Sequence, residues 1–155
     1  MKLFHKLAAL AIPAVCLGLS SCGNSFEKTA DQFVSIETDL AERMLDCKTA
    51  DDVSGIVKYI DEATAEIKEL TAEMKAEKTD LINEFKNLTG RELKEMSEQE
   101  IDVQKAAVLL QDGLQHITKI SDSNKQTVGE AFIKHAEAGM ELSQVLNEIE
   151  TEAKK

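Results

Sequence analysis

Val53, Ile60, Ile67, Met74, Leu81 and Leu88 follow one another at intervals of seven without an exception. A strand alternates its faces every residue, whereas seven residues make about two helical turns, so this column is a helical one. Ile56, Ala63 and Leu70 supply a companion column, and Val57 and Phe85 widen the stripe. At 1.5 Å per residue, Val53 to Leu88 makes a helix of about 54 Å. Burial is worth about 1.5–3 kcal/mol for each large apolar side chain, so such a stripe requires partner helices. The unequal lengths of the expected helices suggest that one end of this long one projects as an interaction surface.

The partners lie in the same chain. Phe26, Phe33, Leu40 and Cys47 repeat every seven residues, with Ala30, Ile36 and Met44 between them. Thr49 with Asp51 and Asp52 marks a helix start: Thr can cap, and acids suit the positive N-terminal end. Thr89-Gly90 reads as the end of the long helix. Met96, Val103, Leu110 and Ile117 form a third column beside Ala106, Gly113 and Ile120. Ser97-Glu98-Gln99-Glu100 has the form of a capping box. Gly113 costs about 1 kcal/mol against Ala in a helix, but it admits a close backbone. Val128, His135, Leu142 and Ile149, with Phe132 and Leu146, make the fourth column. Ile117 to Val128 is seven plus four residues, which a continuous helix can carry as a stutter. Ser121-Asp122-Ser123-Asn124 favours a turn there instead.

The pattern predicts an all-α fold: an elongated, coiled-coil-like antiparallel bundle of four helices, over about 26–47, 50–89, 97–120 and 124–153. Composition agrees. The chain has no Trp, one Tyr (Tyr59) and one Pro (Pro13), which disfavours β-sandwiches and barrels. It is acidic, with 18 Lys and Arg against 29 Asp and Glu. No cationic footprint for phosphates is present, so nucleic acid is not an expected partner.

Enzymatic signals are absent from the sequence. There is no Gly-rich phosphate loop, GxSxG elbow or HExxH, and the acids read as solvent-facing. No catalytic residue and no cofactor is assigned, and the expectation is a non-enzyme. Asp112 and His116 share a helix face but do not make a zinc site, which needs four ligands or three plus water. His135 stands at an inward position, which suits a hydrogen-bonded core residue. It is also the one candidate metal ligand. It resembles the axial histidine of exported haem-binding bundles, with Met44, Met74, Met96 or Met140 as the sulfur donor. No CxxCH motif accompanies it.

The first residues carry a different signal. Lys2 and Lys6 precede an apolar run from Leu7 to Leu19, followed by small Ser20 and Ser21. That is the plan of a secretory signal peptide, too short to span a bilayer. Leu19-Ser20-Ser21-Cys22 resembles the lipobox of bacterial lipoproteins, a match confined to residues 1–22. The resemblance implies that residues 1–21 are removed and that Cys22 becomes a lipidated N-terminus. Two or more acyl chains anchor stably where one does not. Residues 22–25 would then form a short tether and 26–155 a single helical domain. Cys16 leaves with the signal and Cys22 carries lipid, so Cys47 remains as a lone thiol, read as a small buried hydrophobe or an intermolecular disulfide partner.

Removing residues 1–21 takes Lys2 and Lys6 and no acid, leaving 16 cations against 29 acids and a net charge of −13. An anionic bilayer repels such a domain, so the lipid has to hold it there. Gly23 rather than Asp follows Cys22, which favours the outer over the inner membrane under the proteobacterial sorting rule. Helical lipoproteins of this size resemble structural, chaperone-like or partner-binding envelope components. Leu70-Thr71-Ala72-Glu73-Met74 lacks the final Gln of the LTxxQ envelope chaperones. The terminal Lys154-Lys155 is similar to the end of the short coiled-coil lipoprotein linked to peptidoglycan, and Lys155 would make that link. The expectation is a lipid-anchored envelope module that binds a protein partner, with copies of the chain as a further candidate.

Overall fold

A computed structural model describes residues 25–88, 90–121 and 123–155, with 25, 27 and 90–100 described by their backbone. Among the described residues every regular element is helical: α1 (Ser25–Asp46), α2 (Ala50–Ala76), α3 (Lys78–Lys86), α4 (Gly90–Ile120) and α5 (Lys125–Ala153). None is long and apolar enough to cross a membrane. The heptad columns are the core. Phe26, Met44, Ile56, Ile60, Ile67, Leu81, Ile117, Leu142 and Ile149 are all at most 2 % exposed.

Among the described residues the helices number five, where four are expected. The expected helix over 50–89 divides at Glu77, whose φ of −95° and ψ of 7° leave the helical region. The Glu77 N–H still bonds Glu73 O, and the Leu81 N–H bonds Glu77 O, both at 3.0 Å. The axis therefore bends rather than stops. The bend keeps Leu81, Ile82 and Phe85 on the core cluster that also holds Phe26 and Ile149. Phe85 meets Phe26 edge-on, with centroids 6.0 Å apart and planes at 75°. The far end of the long stripe thus covers the bundle instead of projecting from it. α4 also differs from expectation, running from Gly90 rather than from 97. Ser97-Glu98-Gln99-Glu100 lies inside it, in a stretch with no Pro to interrupt it. Gly90 opens α4 rather than ending the preceding helix. The turn at 121–124 is present, between Ile120 and Lys125.

Thr49 caps α2 as the sequence predicts, and Asp52 completes a capping box that the sequence reading did not assign there. Thr49 Oγ1 accepts the Asp52 N–H at 3.2 Å, and Asp52 Oδ2 accepts the N–H of Thr49 at 2.8 Å and of Lys48 at 2.9 Å. The Lys48 N–H first, then Thr49, holds the Asp52 carboxyl below its ordinary range. A depressed carboxyl contributes stability that is complete above its unfolded pKa, about 4, and lost as pH falls through the lower folded value. The stability difference between wild type and Asp52→Asn is therefore expected to shrink as pH falls below about 4. Thermal unfolding from pH 7 to pH 3 checks this; a constant difference would contradict it.

Helix directions follow from who meets whom. Thr29 donates to Met74 Sδ at 3.4 Å and Arg43 lies 4.3 Å over the Tyr59 ring, so α1 and α2 are antiparallel. Thr64 meets His135, Lys75 meets Glu141, and Lys78 meets Glu148 and Glu152, so α2 with α3 runs parallel to α5. Val103 shares a core cluster with Phe26 and Phe33, and Leu110 and Ile117 share one with Leu40 and Cys47, so α1 and α4 are parallel. These parallel pairs, α1 with α4 and α2 with α5, pack most extensively. Gly113 permits the first: a Cβ there would sit 2.9 Å from Met44 Cβ and 3.1 Å from Ala41 O.

Both short connections, 47–49 and 121–124, consequently lie at one end of the bundle. His116 Nε2–H donates to Cys47 O at 2.8 Å and Asn124 to Ala50 O at 2.9 Å, tying the two together. The start of α1, the end of α5 and α3 lie at the other end.

Candidate functional site: a buried polar layer

Between the two apolar clusters sits a polar one. His135 is 2 % exposed, Glu37 6 % and Thr64 6 %, and they come from α5, α1 and α2. The sequence places His135 inward, as found. The general reading of acids as solvent-facing fails at Glu37, which is buried because His135 receives it. His135 Nε2 lies 3.2 and 3.1 Å from the two Glu37 carboxylate oxygens. Its Nδ1 lies 3.2 Å from Thr64 Oγ1.

Donor accounting fixes the protons. Thr64 has one hydroxyl hydrogen, which goes to Ile60 O at 2.6 Å. Towards Nδ1 the Thr64 oxygen can then only accept, so Nδ1 carries a hydrogen. On the other side one proton is shared between Nε2 and the Glu37 carboxylate. The result is a closed chain, Glu37 to His135 to Thr64 to the Ile60 carbonyl, neutral as a whole and with each group satisfied. The Phe132 ring covers the imidazole, with centroids 5.7 Å apart.

This geometry specifies a packing arrangement. Three helices must be at one relative height for the chain to close, and a slipped register would bury a charge unpaired. Both ring nitrogens are engaged, so a metal or haem at His135 would have to displace Glu37 or Thr64. Among the described residues no group of three or more His, Cys, Asp or Glu is placed to hold a metal ion. Met74 receives the Thr29 hydroxyl, and Met44 packs against Gly113. Met96 lies outside the residues whose side chains are described.

The remaining candidates have local roles. Cys47 is a buried free thiol that donates to Arg43 O at 3.4 Å. Burial first, then Asp52 and Asp46, pushes the thiol above its usual range, which disfavours the reactive thiolate. His116 faces the Cys47 carbonyl rather than Asp112. Lys154 pairs with Glu150 one turn back, and the Lys155 N–H bonds Glu152 O, so the C-terminus continues the helix end. Leu19, Ser20, Ser21 and Cys22 lie outside the described residues. Comparison with protein-family models, with curated proteins and with solved structures finds no match.

Proposed function

We propose that the chain is a bacterial envelope lipoprotein, anchored through lipid on Cys22, whose helical domain is a non-enzymatic protein-interaction module. The observation that carries this reading is the order of signals in residues 1–22: charged start, apolar run, then Leu19-Ser20-Ser21-Cys22. The fold supports it. α1 begins at Ser25, and Phe26 is already core, so only Gly23 and Asn24, about 7 Å at full extension, would join a lipidated Cys22 to the bundle. The two short connections then face away from the bilayer, and α3 faces it. The end of α5 lies at the same end of the bundle as the start of α1, where Ile149 and Phe26 share a core cluster. The acidic domain stands off an anionic surface while the lipid holds it, and Gly23 favours the outer membrane.

Expression of wild type and Cys22→Ala in a lipidating host tests the anchor. Wild type is expected in the membrane fraction, with a mature mass that begins at residue 22 and includes acyl chains. Cys22→Ala is expected to lack the acyl mass and to leave that fraction. Equal acyl-free masses for the two proteins would sink the proposal.

A further inference from the structure

The outer face between α1 and α4 carries a groove of about 650 Å³. Ala30 and Ala106 are small enough to leave it open, and the partly exposed Val34 and Leu109 give it an apolar floor. Next to the groove in sequence, Ile101 and Val108 on α4 are 50 % and 56 % exposed, the highest values among the large apolar side chains described. Asp31, Asp39 and Asp102 line the same groove. Asp102 is paired with Lys105 at 2.7 Å, an exposed pair of little worth. Asp31 and Asp39, two turns apart on α1, have no cationic partner among the described residues. The face where α2 and α3 meet α5 differs: there Lys75 pairs with Glu141, and Lys78 with both Glu148 and Glu152.

We infer that this groove docks a cationic amphipathic helix of a partner protein, a deepening that rests on the interaction-module reading above. Charge selects the occupant. Another copy of this chain brings a net negative surface, and an anionic membrane brings the same sign. A helix with Lys or Arg flanking an apolar stripe complements both the floor and the rim. Eight residues from Asp31 to Asp39 span about 12 Å, so the groove takes two to three turns. Apolar side chains at i, i+3 or i+4, and i+7 would enter it. The acidic field of the whole domain speeds encounter and makes it salt-sensitive.

A photocrosslinking amino acid placed in the full-length, membrane-held protein tests this, at Ser35 in the groove and at Glu137, exposed on α5, as a control. The expected result is a product from Ser35 and not from Glu137. Its crosslink should map to a Lys- or Arg-rich helical segment of the captured protein, and its yield should fall at least tenfold in Asp31→Lys/Asp39→Lys. Unchanged yield in that variant overturns the inference, as does a crosslink to lipid, to a second copy or to an acidic segment. Capture from Glu137 alone overturns the groove but leaves the interaction-module reading standing. Capture from neither position overturns the groove and counts against that reading too. Far-ultraviolet circular dichroism of the double variant, matched to wild type, separates lost docking from lost folding.

Discussion

His135→Leu is expected to lower the unfolding free energy by about 3–5 kcal/mol, while Glu37→Leu/His135→Leu recovers most of that loss. The single change keeps the Glu37 carboxyl in the core and removes the group that meets both of its oxygens. Burying that group without a partner is what costs the energy. The double change removes both polar groups and fills the layer with side chains of similar size. Thr64 keeps its donated bond to Ile60 O in either variant and loses only the hydrogen it accepts from His135 Nδ1. Urea unfolding with a constant m-value measures the cycle. A His135→Leu variant within about 1 kcal/mol of wild type would show that the layer carries no energetic coupling. Should the double variant prove as stable as wild type, the layer's purpose is the relative height of α1, α2 and α5 rather than net stability.

Phe26→Ala carries the second large effect, about 3–5 kcal/mol by the cost of emptying a buried aromatic site. Phe26 is 2 % exposed, at the second residue of α1. It is one of the residues α3 packs against, through the edge-on contact with Phe85, beside α3's main partner α5. Its removal takes away both the buried area and the aromatic pair, itself worth about 0.5–1.5 kcal/mol. The loss should be local before it is global. Amide hydrogen exchange is expected to accelerate across α3 and at the start of α1, with the 47–49 and 121–124 end less affected. Uniform acceleration along all five helices would show that α3 is not a separable cover.

The heptads of this chain declare its helices plainly, because the long columns, Phe26 to Cys47, Val53 to Leu81, Val103 to Ile117 and Val128 to Ile149, are buried. What they conceal is where a column is interrupted on purpose. Ala30, Glu37 and Met44 are seven apart, so Glu37 occupies a core position in the second column of α1. Val57, Thr64 and Thr71 do the same on α2, and the two threonines are buried, each bonding the carbonyl four residues back. A polar residue in register with an apolar column is the legible trace of a buried partner. Reading Glu37 by residue type, as one more exposed acid, hides it. The bend at Glu77 left no such trace. No Gly or Pro lies there, and the residues that α3 packs against, on α5 and at Phe26, are about fifty or more positions away in the chain. The α1–α4 groove was equally invisible, since Asp31 and Asp102 come from helices whose parallel contact no local pattern specifies.

That parallel pairing also governs how the chain reaches its fold. The contacts that close the bundle join residues 66 to 74 positions apart, as in Lys75 with Glu141, Cys47 with His116, Thr64 with His135 and Ala50 with Asn124. The α1–α2 hairpin, first to be made, packs on itself far less than on α4 and α5. Its two stripes have no adequate cover until residues beyond 100 arrive. A chain with this order of contacts gains little from folding piecemeal and folds late and cooperatively. If it is exported as proposed, the same delay keeps it threadable during translocation, with α5, the last helix to emerge, completing the core.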